Sequence, residues 1–329
     1  MKKIIIIILV LLIPFKVSGL SAKSAILMDI KTNRVLYKKD IHNIKSVASI
    51  SKIMTAIIAI ESGKLEEEVI IGDEIENSYG SGIYIKKGEK IKLIDLVYGL
   101  LLRSGNDAAA SISKYISDDF VNLMNIKANE IGLINTTFNN PSGLDEEDGN
   151  FSTAYDMALL MSYAYKNKIF RKIINTRKYK VKTNMNTYIW YNKDKLLYSY
   201  KYCTGGKTGY TKKAKRTLIN TASNNLDLVV VTLNDPNDWK DHKTLFEYGF
   251  NNYKYFKILD KKKIIKDSYY KKLYIKNNYY YPIRENEKEK LKIKYKLKKI
   301  RLNYHNKKVG YAYIYFNNEL IHKEVVYAK

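Results

Sequence analysis

Cysteine is all but missing from the 329-residue chain: Cys203 stands alone, so no disulfide can form within it. A solitary thiol of this kind reads as a small buried hydrophobe rather than a nucleophile. Histidine is sparse, and His42, His242, His305 and His322 are scattered without the spacing of metal ligands, so no metal site and no cofactor is expected. Acidic residues are outnumbered, with 33 Asp and Glu against 58 Lys and Arg, leaving a net charge of +25. Three explanations of that charge compete: nucleic acid, an anionic membrane or wall surface, or a basic exterior that is merely solvated.

Long apolar runs are lacking except at the start. Met1-Lys2-Lys3 leads into an apolar stretch from Ile4 to about Pro14, followed by the small residues of Val17-Ser18-Gly19 and Leu20-Ser21-Ala22. About eleven residues are too few to span a bilayer comfortably and suit a signal peptide, cleaved after Gly19 or Ala22; an uncleaved anchor is the alternative. Residues 1–22 are therefore set apart. Export argues against nucleic acid as a partner and favours anionic wall polymers or lipid head groups. The sequence up to Lys329 shows no apolar or amphipathic tail to act as a membrane anchor.

What remains is rich enough in apolar residues, 46% of the whole, to fill one large domain and a smaller one. Ala25 to Ile30 and Val35 to Tyr37 read as a hairpin around Lys31-Thr32-Asn33-Arg34. An apolar helix opens at Ala48-Ser49-Ile50-Ser51-Lys52 and runs to about Ser62, with Gly63 as its cap. Leu93 to Leu102 and Ala108 to Tyr115 are helical on either side of a break that holds Ser104 and Asn106. Phe120 to Ile131 is an amphipathic helix; Asn139-Asn140-Pro141-Ser142-Gly143 is a turn; Ser152 caps a helix that reaches about Lys166. Phe170 to Tyr202 is assigned strands. From Gly205 a meander follows, through Lys207 to Thr211, Arg216 to Ser223 and Leu226 to Leu233, closed by a helix from Pro236 to about Phe250. Strands at both ends and helices between describe an α+β domain over residues 23–253 whose two ends share one sheet. Residues 254–329 alternate as a small β-rich domain without a catalytic constellation.

Ser49 and Lys52 fall on one face of a helix, so the amine can reach the hydroxyl, and apolar neighbours keep the lysine dry enough to lose its proton. Ser104-Gly105-Asn106 and Lys207-Thr208-Gly209 follow in chain order. None is specific alone. Ser111-Ile112-Ser113-Lys114 repeats the first pattern and Ser223-Asn224-Asn225 the second. Together, on a helix start, an interhelical loop and a strand, the set resembles that of penicillin-binding proteins and class A β-lactamases. Ser24 to Met54, Gly80 to Ala110, Phe120 to Leu144, Ser152 to Met157 and Gly205 to Thr211 are similar to the D-alanyl-D-alanine carboxypeptidases, and the tail is similar to that family's C-terminal β domain. Gly105 fits this family, where β-lactamases usually carry aspartate. Ala214-Lys215-Arg216 departs from it, since many members have glycine after the alanine.

The resemblance implies a penicillin-binding-protein/β-lactamase-like fold, an antiparallel sheet with a helical cluster plus a small all-β domain. It implies an exported serine peptidase that trims the terminal D-alanine from peptidoglycan stem peptides ending in D-Ala-D-Ala and is acylated by β-lactams. Ser49 would attack, Lys52 serve as base, Ser104 relay a proton and Asn106 hold the substrate amide. Lys207 and Thr208 would hold the terminal carboxylate, Gly209 would let substrate lie along the strand, and the backbone N–H groups of Ser49 and Tyr210 would form the oxyanion hole. Lys207 is also expected to depress Lys52. A β-lactamase or a non-catalytic wall-binding or sensor protein are the rival readings. Glu130 weakly resembles a deacylating glutamate but its register puts it on a solvated face, and Asp145 to Asp148 read as a solvated acidic turn.

Overall fold

The first strand lacks the in–out alternation of a half-exposed sheet: all six residues of β1 (Ser24–Asp29) are buried. A strand buried on both faces must be covered from both sides. The computed structural model, which describes Val17 and residues 19–145, 149–300 and 305–329, shows how. Most of the expected signal segment lies outside the described residues, as do Glu146, Glu147 and Asp148 of the acidic turn.

β1 is an inner strand of a five-stranded antiparallel sheet with β2 (Val35–Lys39), β3 (Cys203–Thr211), β4 (Lys215–Ser223) and, at its centre, β5 (Asp227–Leu233), in the order β2-β1-β5-β4-β3. Ser24 pairs with Leu233 and Asp29 with Leu228, so the two ends of this part of the chain share one sheet, as the pattern implies. Ile26 and Met28 face one core, formed with α1 (Lys52–Glu61), α2 (Leu93–Arg103), α3 (Asn106–Ile116), α4 (Phe120–Ile131), α5 (Ala154–Ala164) and α6 (Lys168–Asn175). Ala25 and Leu27 face another, where Leu245 and Phe246 of α8 (Asp238–Asn252) and the short α7 (Leu196–Ser199) cover the opposite side. Cys203 is buried in this second core.

Several boundaries differ from the sequence reading. Ser49 lies in a 3-10 turn, Ala48–Ser51, and α1 begins only at Lys52. Ala48 enters that turn in the left-handed region, at φ 50°. Asn106 is the first residue of α3 rather than part of a break, while Ser104, at φ 64°, closes α2. Thr153, not Ser152, caps α5 by accepting from the Asp156 N–H at 3.0 Å. Ser152 instead pairs in a short ribbon with Lys45. The segment read wholly as strands holds α6 and α7 around a hairpin, Lys178–Lys182 with Thr187–Tyr191. Its lysine-rich composition obscures α6, whose buried Phe170, Ile173 and Ile174 keep helical spacing.

Beyond α8 lie a ribbon, Lys254–Leu259 with Tyr279–Ile283, and a second sheet whose first two strands fall between those of the ribbon. Its strands are β6 (Ile265–Asp267), β7 (Lys271–Tyr274), β8 (Leu291–Leu297), β9 (Lys308–Phe316) and β10 (Glu319–Ala328), in the order β6-β7-β10-β9-β8. Leu273, Val309, Ala312, Ile314 and Val326 fill its own small core. Arg34, in the β1–β2 turn, bridges the two parts. Its guanidinium reaches both carboxylate oxygens of Glu287 at 2.9 and 3.0 Å, donates to the Pro282 carbonyl, and lies 4.2 Å from the Phe316 ring.

Candidate active site

The 3-10 turn sets Ser49 at the edge of the helical cluster, and one turn later Lys52 is wholly buried inside it. Lys52 Nζ lies 3.1 Å from Ser49 Oγ, 2.6 Å from Asn106 Oδ1, and hydrogen-bonds the Ser142 carbonyl oxygen. Burial, and then the cation of Lys193, push the Lys52 amine down to about 7, with Asp107 opposing. The neighbouring cation is thus Lys193 where the sequence reading named Lys207. An amine near 7 is neutral often enough at ordinary pH to accept a proton from the hydroxyl beside it.

Lys207, at the centre of β3, is 1% exposed. Its Nζ donates to Ser104 Oγ at 2.9 Å and to the Thr208 carbonyl at 2.7 Å. Burial first, then Lys52 and Lys193, hold it well below the usual lysine range. β3 runs hard against the nucleophile turn at Gly209, where a Cβ would stand 2.4 Å from Thr217 Oγ1 and 3.1 Å from the backbone nitrogens of Ser49 and Ile50. Only glycine allows that approach.

Asn106 also donates through Nδ2 to the Tyr79 carbonyl at 2.5 Å, and its N–H bonds the Ser81 carbonyl at 2.7 Å. Asp107 accepts from the N–H groups of Ile83 and Tyr84 at 3.0 and 2.7 Å. The start of α3 therefore pins the 79–84 loop over the cleft. A cleft of about 400 Å³ opens in front, lined among others by Ser49, Ser104, Thr208, Gly209, Tyr210 and Lys193. Arg216 lines it too, held by a two-point pair with Asp238 at 2.7 and 3.1 Å.

The structure gathers two hydrogen-bonded groups around the cleft, Ser49, Lys52 and Asn106 on one side and Ser104 with Lys207 on the other, and places Thr208, Gly209 and Tyr210 on the cleft wall. The look-alike motifs are otherwise engaged: Ser111 bonds Glu74 and Lys114 pairs with Asp118. Glu130 is on the surface, paired with Lys127 at 2.8 Å. His242 is buried against Thr232 and pushed down to about 3 by burial. Among the described residues no three His, Cys, Asp or Glu side chains are grouped to hold a metal ion.

Sequence reasoning missed the loop behind the nucleophile. Asn140 Oδ1 accepts from the N–H groups of Ser142 and Gly143 at 3.1 and 2.7 Å, which presents the Ser142 carbonyl to Lys52. Asn150, fully buried, ties this loop to Ser51 Oγ at 3.0 Å and to the Asn140 carbonyl at 2.9 Å. Asp145, expected in solvent, is buried and accepts from Ser46 Oγ and from Thr211 Oγ1, so it links the approach to the nucleophile with the end of β3. The signal available was Asn139-Asn140-Pro141-Ser142-Gly143, whose turn residues do not announce where the carbonyl between them will point. Lys193 was missed because nothing in Asn192-Lys193-Asp194 marks it off from the many other lysines.

Residues 15–237 match the family model described as D-alanyl-D-alanine carboxypeptidase. The chain belongs to that family. It is 36% identical over 210 residues to D-alanyl-D-alanine carboxypeptidase DacF of Bacillus subtilis, a match covering 61% of this chain and 54% of that protein. The chain thus spans about half the length of that relative. Against D-alanyl-D-alanine carboxypeptidase DacB2 of Mycobacterium tuberculosis it is 29% identical over 239 residues, 70% of this chain and 82% of the other. Among solved structures, penicillin binding protein 5 from Haemophilus influenzae superposes with a TM-score of 0.77 at 25% identity, over 95% of this chain and 97% of that one. The α+β fold with its extra C-terminal sheet is the family's fold, as the motif resemblance implied.

Proposed function

We propose that the protein is a serine D-alanyl-D-alanine carboxypeptidase that releases the terminal D-alanine from peptidoglycan stem peptides. The observation that carries this reading is Lys52 Nζ lying within hydrogen-bond reach of both Ser49 Oγ and Asn106 Oδ1, with Lys207 bonded to Ser104 on the facing side. Neutral Lys52 takes the Ser49 proton as Oγ bonds to the penultimate D-alanyl carbonyl carbon. The N–H groups of Ser49 and Tyr210 receive the oxyanion, and losing such a donor costs about a hundredfold or more. The peptide C–N bond then breaks, Ser104 passes a proton to the departing amine, and water hydrolyses the ester. Asn106 holds both Lys52 and the substrate amide. Lys207 and Thr208 take the terminal carboxylate, whose charge favours the protonated lysine. Penicillins acylate the same serine.

Gly105, where β-lactamases usually carry aspartate, supports the carboxypeptidase reading over a β-lactamase. We further take residues 1–22 to contain a cleaved signal peptide, 23–253 as the catalytic domain and 254–329 as a β-rich domain, with the enzyme working outside the cytoplasm against the wall or the outer membrane face. Cleavage after Gly19 fits better than after Ala22. Ser21 donates its N–H to Asp241 at 2.6 Å and Ala22 is fully buried, contacts that the later cut would remove. No helix among the described residues is long and apolar enough to cross a membrane.

The test is release of D-alanine from a peptide ending in D-Ala-D-Ala by purified, folded protein. Release is expected, and well-folded protein that releases none while still retaining the peptide would favour the sensor reading instead.

A further inference from the structure

Residues 254–329 hold 22 Lys and Arg against 7 Asp and Glu, so most of the chain's net charge of +25 lies in the part that carries no catalytic group. The register of the second sheet sorts that charge onto one side. Lys292, Lys294 and Lys296 of β8 stand opposite Tyr315, Tyr313 and Tyr311 of β9, while the intervening Ala312 and Ile314 turn into the core. On the next strand Lys323 stands opposite Tyr313. The acidic residues of β10 fall on the other side: Glu324 pairs with Ala312, and Glu319 with Phe316. Among the described residues of these three strands, no carboxylate projects from the outward face.

Successive outward lysines on one strand are about 7 Å apart, and like charges so placed repel. The tyrosines under them offset part of this. Lys294 Nζ lies 5.4 Å from the Tyr315 ring centre, Lys296 5.4 Å from Tyr313, and Lys323 3.8 Å from Tyr311. A bond from Lys308, with the charges of Lys308 and Lys323, holds the Tyr311 phenol below its usual value. The rings lie beneath ammonium groups instead of projecting beyond them. A surface that inserts into lipid projects several bulky apolar side chains, whereas on this face Leu320, opposite Tyr315, is the one exposed aliphatic side chain among the described residues, beside four lysines.

We propose that the outward face of β8, β9 and β10 binds an extended polyphosphodiester, a polymer of the kind that places one anionic charge on each repeat. Its phosphates lie along the lysine rows and its backbone lies over the tyrosines. The proposal rests on the reading of the protein as an envelope enzyme, but its test does not depend on turnover. Binding of the full chain to fluorescent inorganic polyphosphate is measured across a salt series, for the native protein and for K292Q/K294Q/K296Q/K323Q. Peptide turnover and thermal midpoint are recorded alongside.

The quadruple variant is expected to bind at least ~10-fold more weakly, with a salt slope shallower by roughly 3, and to keep native turnover and midpoint. A control removing four exposed lysines elsewhere, K64Q/K86Q/K90Q/K166Q, should lose much less. Equal loss in both variants would reduce the effect to net charge and overturn the assignment, as would unchanged binding in the first. Native protein that binds vesicles of equal parts phosphatidylglycerol and phosphatidylcholine but not polyphosphate would overturn it in favour of a membrane. A D-alanine assay that fails while polyphosphate binding follows the lysines would count against the carboxypeptidase reading alone.

Discussion

Lys207 Nζ donates to Ser104 Oγ across 2.9 Å, joining the middle of β3 to the left-handed residue that closes α2. Two buried lysines, Lys207 and Lys52, thereby face each other through two short polar side chains, Ser104 and Asn106. Burial depresses the proton affinity of both; the Lys193 cation adds to it at Lys52, and Lys52 and Lys193 add to it at Lys207. Most consequences that can be measured follow from this pair.

The rate of acylation should rise with pH. Lys52 must be neutral to take the Ser49 proton, and burial with the Lys193 cation sets its midpoint at about 7. The second-order rate constant for a fluorescent penicillin is expected to climb through pH 7 and level off above it. Lys193→Gln removes the nearby cation and should move the climb to higher pH. A profile flat between pH 5 and 9 at order-of-magnitude precision, or a shift the other way, would contradict this role for Lys52.

Stability should follow the same group. A lysine whose folded value is about 7 and whose unfolded value is 10.5 binds fewer protons folded than unfolded between those limits. Unfolding free energy therefore rises with pH across that window, at up to about 1.4 kcal/mol per unit, and the full penalty is present below it. Lys52→Met should flatten the rise. Denaturant titrations at several pH values read the difference, and equal slopes in both proteins would count against a depressed Lys52.

Gly143→Ala should damage the loop that presents the Ser142 carbonyl. Gly143 sits at φ 79°, and an added Cβ would stand 2.2 Å from the Ala48 carbonyl oxygen. The expected cost exceeds about 1 kcal/mol, with a slower acylation rate because Lys52 loses its alignment. Thermal unfolding and penicillin labelling measure the two effects. A variant as stable and as reactive as the native protein would show that the loop can shift freely.

Arg34→Ala should uncouple the two parts of the chain. The Arg34–Glu287 pair is mostly shielded, with side chains 9% and 13% exposed, and breaking a buried pair costs about 3–5 kcal/mol. Faster proteolytic cleavage near Tyr253 and earlier unfolding of the C-terminal sheet are expected. Turnover of a small peptide should be largely retained, because Arg34 contacts none of the cleft residues. Unchanged proteolysis would show that contacts other than those of Arg34, such as the Tyr255–Asp29 hydrogen bond, hold the two parts together.

Ser49→Ala should abolish both penicillin labelling and D-alanine release. Mass spectrometry of the labelled protein locates the adduct, and an adduct that persists in the variant would move the nucleophile elsewhere.

Much of this was readable from residue patterns, and the rest was hidden for identifiable reasons. The apolar runs of β1 and β5 announce a doubly covered sheet, and α4 was bounded correctly because its periodicity is plain. The three motifs named the residues that the fold brings together. What could not be read was the company they keep through the backbone. Lys52 is held by a carbonyl, that of Ser142, and a carbonyl has no identity in a sequence. Asp145 looked solvated because three acidic residues follow it, yet Ser46 and Thr211 draw it inward. The helix α6 was lost because lysines on its outer face broke the apolar pattern that its inner face keeps.

The order of strands in the first sheet also sets when the site can assemble. β1 and the nucleophile turn precede β5 in the chain by more than 170 residues, but the place beside β1 belongs to β5, with Ser24 paired to Leu233 and Asp29 to Leu228. Until that late strand arrives, β1 has an open edge and Lys207 has nothing to hold it opposite Ser104. Such distant pairing folds slowly. Ser49 and Lys207 can therefore be held across the cleft only once β5 has closed the sheet between them.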